Sequence, residues 1–411
     1  MKFFLGFIFL FFIVSASLAQ TYKLDHYLDI AKTSSPLLKD LKNQVLLSQL
    51  DSVRLRAGLK PQLNGNGAGL FAPYYNGFGY SGAITNVHTL SALVSANQTL
   101  IGKQYVNSQL TALSLQRDSL LNTSKISELD LRKAIIAQYI TAFGSLQQLN
   151  FSREVVELLN KEDDLLKKLT RSNVYRQSDY LTFLVTLKQQ QLQLLQARLQ
   201  YKNDYTTLNY LAGIVDTAMV ELEKPDIEKA VTPQIGNSIF FKKFQIDSLR
   251  LINGRKLIDF SYRPKANIFA DGGFNSDFTG QAYKNFGTSI GFNLTIPIYD
   301  GGVRNIQYKR LSLQEETRLN YKAFFNVQYR QQINQLNQQV QETNDLLKQI
   351  DEQVKYAETL IKVDIQLLQT GDLKIADLVI AVNSYLTVKN LKTTTDINKL
   401  QLINQLNYWN R

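Results

Sequence analysis

The chain repeats itself at one constant offset. A shift of 198 positions lays Leu113-Ser114-Leu115-Gln116 on Leu311-Ser312-Leu313-Gln314, Asp179 on Asp377, and Leu208-Asn209-Tyr210 on Leu406-Asn407-Tyr408. The offset holds without a gap from about residue 98 to about residue 213, and again to the C-terminus. Such a repeat constrains the fold more than any single motif, because it demands two similar supersecondary units in a pseudo-symmetric arrangement.

Hydropathy periods supply the content of each unit. Residues 23–58 carry apolar side chains at spacings of three and four, a helical pattern that Pro36 kinks or restarts. After Pro61 the period changes to two: Leu63, Gly65, Gly67, Gly69 and Phe71 alternate with mostly polar neighbours, and Leu90, Ala92, Val94 and Ala96 resume the alternation over 88–100. The tip between these strands carries Phe71, Tyr74, Tyr75, Phe78 and Tyr80, a cluster suited to a membrane interface or to a self-packed loop. From Lys103 to about Arg171 the chain is helical, with no Pro and one Gly, giving a rod of about 100 Å. Asn173 breaks it and a second helix returns over about 175–212. The plan then recurs: helix 237–259, strands around 266–274 and 290–296, long helix 303–369, Gly371 in place of Asn173, and a return helix to Trp409. Placed end to end, a return helix and helix 23–58 match one long helix in length.

The organisation expected is a signal segment at 1–19, a first repeat at 20–213 with its hairpin at about 61–100, a connector at 214–236, and a second repeat at 237–411 with its hairpin at about 264–299. The signal segment rests on Lys2, an apolar core at 3–14, and Ser17-Leu18-Ala19 as the cleavage pattern, which implies export. No apolar run of 18 residues follows it, so a membrane-inserted form would be a β-barrel. Four strands cannot close a barrel alone, and open edges cannot face lipid, so strands must be pooled between chains.

Composition removes several chemistries. There is no Cys, and His26 and His88 are the only histidines, so no metal site, no cofactor and no thiol or soft-metal chemistry is expected. The net charge of +11 is scattered and accompanies an export signal, which fits a solvated surface or acidic lipid rather than nucleic acid. Gly287-Thr288-Ser289-Ile290-Gly291 matches the G-x-S-x-G nucleophile pattern, but it lies inside a period-two strand with no helix after Ser289, so no enzyme is expected.

The pattern resembles the TolC-like outer-membrane efflux proteins over essentially the whole mature chain. The residues that carry the resemblance are the strand starts Lys60-Pro61 and Arg263-Pro264, the strand-to-helix junction Pro297-Ile298-Tyr299-Asp300-Gly301-Gly302, and the stretch from Thr370-Gly371-Asp372 to Asp377. Two departures stand out: the first repeat has Thr99-Leu100-Ile101-Gly102 at the junction, and Ile380 and Thr182 occupy the place of the family's second acidic residue.

The resemblance implies an α+β fold: long antiparallel helical hairpins forming an α-barrel, and four strands per chain given to a trimeric 12-stranded transmembrane β-barrel. It implies a passive outer-membrane channel and periplasmic tunnel of a tripartite efflux or type I secretion system. Its partners would be two further copies, a periplasmic adaptor (membrane fusion) protein, an inner-membrane pump and outer-membrane lipid. An exported structural or adhesion coiled coil that forms no pore is the competing reading. Candidate gating or selectivity residues are Asp377, Asp179, Asp372, Lys374 and Arg176. For Asp377 two readings stand side by side: a ring of charge at the tunnel entrance, or an acid placed to suit the helix dipole. Asn173 and Gly371 are the turn and adaptor-docking candidates, and Pro297, Asp300, Gly301 and Gly302 form the strand–helix junction.

Overall fold

The computed structural model describes residues 22–73, 75–80, 88–216, 218–231, 238–277 and 281–411. The segment read as a signal, Tyr74, and parts of the first hairpin tip and of the connector lie outside the described residues. The chain is mostly helical with one four-stranded sheet. In order it forms α1 (Leu24–Ser34), α2 (Pro36–Gly58), β1 (Gln62–Phe71), β2 (His88–Leu100), α3 (Lys103–Arg171), α4 (Gln177–Ala212), α5 (Ile239–Ser261), β3 (Lys265–Ser276), β4 (Phe286–Thr295), α6 (Val303–Thr370) and α7 (Ile375–Trp409). Contacts divide it into two units. One holds the described residues within Met1–Pro36, Ser127–Pro233 and Tyr329–Arg411; the other holds those within Leu37–Ile126 and Gln234–Gln328. Among the described residues no helix is long and apolar enough to cross a membrane.

In the second unit the sheet runs β1-β2-β3-β4, antiparallel throughout. Register sorts most of its residues by polarity, with Gln98 an exception on the apolar face. Leu63, Gly65 and Gly67 oppose Ala96, Val94 and Ala92; these oppose Ala270, Gly272 and Phe274, which in turn oppose Ile290, Thr288 and Phe286. That face is apolar or small, and its large members stand in solvent in the single chain: Ile290 is 81% exposed and Phe292 77%. The opposite face carries Asn64, Asn66, Ser91, Ser95, Asn97, Asn267, Asp271, Asn275, Ser289 and Asn293, with Leu93 and Phe269 among them. The two hairpins join through β2 and β3, leaving β1 and β4 as open edges. Elsewhere in this unit, Phe241, Phe244 and Phe325 pack together between α5 and α6, and Asn253 of α5 donates to the Ser108 carbonyl of α3 at 2.9 Å.

In the first unit a tyrosine-rich core forms between α1, α3, α4 and the chain that follows α4. Tyr139 donates to the carbonyls of Glu223 (2.7 Å) and Tyr22 (3.0 Å), Tyr201 donates to Val220, and Tyr27 meets Tyr205. Burial pushes the Tyr27, Tyr139 and Tyr201 hydroxyls well above the usual phenol range, so they serve as neutral donors. Pro36 splits the first helical stretch by opening α2, where its missing N–H costs nothing. Of the stretch 23–58, α1 runs beside α4 in parallel, with Tyr27 level with Tyr205 and Ser34 donating to the Ala212 carbonyl at 2.8 Å. The physical reason is the buried face of Tyr27 and Ala31, which needs a partner along its length.

Candidate functional site

The turns between the paired long helices have one geometry. α3 ends as Asn173 takes the left-handed conformation (φ 57°), and α6 ends as Gly371 does the same (φ 83°). In the first turn the Val174 N–H donates to Leu169 at 2.9 Å and the Asn173 N–H to Thr170 at 3.1 Å. In the second the Asp372 N–H donates to Leu367 at 3.0 Å and the Gly371 N–H to Leu368 at 3.3 Å. Both are Schellman closures, which satisfy carbonyls that a helix end otherwise leaves orphaned.

The two turns touch each other. A Cβ at Gly371 would lie 3.2 Å from a methyl of Val174. Tyr175, just past the first turn, donates to two carbonyls of the second, Leu368 at 3.1 Å and Leu373 at 3.0 Å. Burial, then the nearby Asp372 carboxylate, raises the Tyr175 hydroxyl above its ordinary value. Beneath the turns lies a core of Leu166, Phe183 and Leu187 from the first helical pair and Leu368, Ile375 and Leu378 from the second.

The charged candidates sit around this core. Arg176 and Lys374 occupy the extended N-cap positions of α4 and α7, with no side-chain cap bond. Asp179 and Asp377 are the first-turn acids of those helices, where the dipole favours them. Asp179 also accepts from Ser178 at 3.2 Å. Asp377, Asp372, Lys374, Arg176, Asn173 and Gly371 are exposed. Among the described residues no ion pair joins Arg176, Lys374, Asp179, Asp372 or Asp377 within the chain.

Two residues at this place escaped sequence reasoning. Tyr175 is one, since nothing in its local pattern marks its hydroxyl. The other is Asp364, only 6% exposed near the end of α6. Burial first, and the Asp377 carboxylate second, hold its carboxyl above the usual carboxylate range. The shift of 198 that aligns the repeats sets Asp364 on Leu166, which is fully buried. The same shift, applied position by position, would have exposed this acid in an apolar stripe.

The strand-to-helix junction is a second built feature. Asp300 accepts from the Gly302 N–H at 2.9 Å and the Arg304 N–H at 2.7 Å, capping the start of α6, while Gly301 and Gly302 take φ of 65° and 84°. Tyr262, and then the Arg304 amide, hold Asp300 below the usual carboxylate range. Arg304 binds Asp259 at 3.0 Å, and Tyr308 donates to the same carboxylate, tying α5 to α6. Pro297 stands exposed in the link. The first repeat has no such cap: β2 ends at Leu100, α3 begins at Lys103, and Gly102 only accepts from Tyr105 and Val106. The G-x-S-x-G match lies wholly within β4, and Ser289 donates to Asp271 across the sheet at 3.3 Å.

No family model matches the chain, and no curated protein matches it by sequence. Solved structures do match it. A membrane protein from Pseudomonas aeruginosa superposes with a TM-score of 0.76 at 14% identity, over 94% of this chain and 89% of that one. The outer membrane protein VceC of Vibrio cholerae gives 0.75 at 14% identity, over 94% and 95%. The open state of the MtrE outer membrane channel of Neisseria gonorrhoeae gives 0.75 at 12% identity, over 94% and 88%. At these identities the likeness speaks for the fold alone, which this chain shares with these outer-membrane proteins and which agrees with the resemblance read from the sequence.

Proposed function

We propose that the protein is a passive outer-membrane channel, a homotrimer in which each internally duplicated chain contributes four strands to one 12-stranded barrel and its helices to a periplasmic tunnel. The observation that carries this reading is the two-faced sheet. Its apolar face presents Phe286, Ile290, Phe292 and Leu294 to solvent, its other face is lined mostly by Asn, Ser and Asp, with Leu93 and Phe269 the large apolar exceptions, and both of its edges are open. Exposed apolar side chains on a strand suit lipid, and a polar face suits a water-filled lumen. Closure with two further copies removes the edges, which lipid does not tolerate. The chain carries no phosphate-binding loop, so energy for transport comes from partners: an inner-membrane pump and a periplasmic adaptor in an efflux or type I secretion assembly.

In this reading the two helical turns form the periplasmic mouth. Asp377, with Asp179, Asp372, Lys374 and Arg176 around it, sets charge there, and Asn173 and Gly371 mark the surface where the adaptor docks. Three copies of Asp377 make a negative ring that favours cations. Outer-membrane fractionation and single-channel recording of the purified trimer test the channel, and a non-conducting, soluble protein refutes it. Asp377→Asn is expected to lower cation preference. Unchanged selectivity and unchanged cation block would leave Asp377 with the helix dipole alone.

A further inference from the structure

Asp271 is the one acidic side chain in the four strands, and it stands on the polar face of the sheet. Register places it in a row with Asn64, Ser95 and Ser289, and Ser289 donates to it at 3.3 Å. Among the described residues no Lys or Arg pairs with it. The nearest basic residue on its own strand, Lys265, is six residues away, about 20 Å and more than two Debye lengths at physiological salt. Asp271 is half-buried, with Leu93 of β2 and Phe269 of β3 on the same face of the sheet and glycines at two neighbouring places. Two residues along the strand is Gly273, where a Cβ would strike the Ala92 carbonyl oxygen at 2.2 Å, so no side chain can stand there. Its partner in register is Gly287, again without a side chain. Two residues the other way, Phe269 lies across Gly291, with the ring where a Gly291 Cβ would sit, so the ring covers the wall and not the acid.

We propose that Asp271 is a selectivity-determining residue of the barrel lumen, forming a ring of three carboxylates separate from the charges at the helical turns. The proposal rests on the trimeric-channel reading. A 12-stranded barrel with strands about 4.8 Å apart and tilted about 40° has a wall radius of about 12 Å. An aspartate pointing inward then holds its charge about 8 Å from the axis, close to one Debye length at 0.15 M salt. Three such charges, in water and screened over that distance, enrich cations on the axis about two- to threefold and deplete anions by the same factor.

The test is the reversal potential of the purified trimer in planar bilayers under a KCl gradient near physiological salt. Asp271→Asn is expected to lower the cation-to-anion permeability ratio by a factor of about four to nine, and Asp271→Glu to preserve it. The difference should vanish near 1 M salt, where the Debye length falls to about 3 Å. A conducting trimer whose reversal potential is the same with Asp271→Asn overturns the proposal and leaves the channel reading intact. A wild-type protein that does not conduct overturns both. If Asp271→Asn fails to assemble, Asp271→Ser makes the same test, because it also removes the carboxylate and nothing else charged. An unchanged reversal potential in that variant overturns the proposal as well.

Discussion

The buried acid beneath the second helical turn invites a direct perturbation, Asp364→Leu. Asp364 replaces, at the repeat offset, a leucine that is fully buried in the same core. Its carboxylate is desolvated and faces the carboxylate of Asp377. Leucine at this place adds the transfer free energy of a buried aliphatic side chain, about 1.5–3 kcal/mol. The sign with pH follows from the raised carboxyl. The folded chain holds this proton more tightly than the unfolded chain, so the contribution to stability is fully present below the unfolded value and is lost as pH rises through the folded one. The wild-type turn is therefore firmest in acid and loosest at neutral pH, and Asp364→Leu removes that dependence. Hydrogen exchange at the end of α6 and the start of α7 measures it, once intrinsic exchange rates are corrected for pH. At neutral pH the variant should slow these amides by about 10- to 100-fold. The wild type should show slower corrected exchange near pH 5 than near pH 8, and the variant should show no such difference. Equal or faster exchange in Asp364→Leu at neutral pH would refute the reasoning, because it would mean that Asp364 makes a stabilising interaction as an anion.

Other substitutions test other parts of the architecture. Asp300→Ala removes the acceptor for the Gly302 and Arg304 amides and should speed exchange in the first turn of α6 by about five- to tenfold, leaving the start of α3 unchanged. Gly371→Ala places a Cβ in a left-handed residue and 3.2 Å from Val174, and should destabilise the turn by about 1–2 kcal/mol in a denaturation series. Asn173→Gly, at the matching place, should be neutral or stabilising by up to about 1 kcal/mol. Tyr175→Phe frees the Leu368 and Leu373 carbonyls and should loosen the second turn by about 1–3 kcal/mol, read as faster hydrogen exchange there.

The sequence was most legible where a period or a breaker residue sets the local structure. The long helices lack Pro, and their apolar stripes repeat at helical spacing, so α3 and α6 could be bounded almost to the residue. The strands showed as Gly-rich alternation, and the turns as Asn173 and Gly371, residue types that tolerate the left-handed conformation both adopt. What stayed hidden depends on partners far away in the chain. The side-by-side packing of α1 on α4 depends on which surface Tyr27 and Ala31 find to cover them. The joining of the two hairpins through β2 and β3 is a pairing between strands more than 160 residues apart, and no local pattern encodes it. Asp364 looked like one more polar residue on a charged helix; only the packing of α7 against α6 turns it into a desolvated acid.

The two halves of the chain differ in the same direction at two places, the strand-to-helix link and the helical turn, whereas farther along the long helices the order reverses: Glu162 of α3 is buried, with its carboxyl raised by desolvation, where the second half has Leu360. At the strand-to-helix link the first half passes from Leu100 to Lys103 with almost no intervening chain, while the second inserts an exposed stretch from Ile296 to Gly302, with two glycines at positive φ, closed by the Asp300 cap. At the helical turn the first half packs Leu166 where the second buries Asp364, and Asn173 stands where the second has Gly371. Each difference puts into the second half an interaction whose strength depends on conditions: a carboxylate cap, a desolvated acid beside another acid, or a residue with wide backbone freedom. The first half holds its matching places with apolar packing and short chain. Tyr175 makes the relation concrete, because it lies in the first half and donates to carbonyls on both sides of the second turn, one of them that of Leu373, its own counterpart at the repeat offset. Local stability in a folded chain is lowest where burial is incomplete and polar contacts carry the load, and moving elements are drawn from such places. On that ground the second helical turn, beneath which Asp364 is desolvated, is the one expected to yield first, with the Tyr175 hydroxyl as a contact it loses.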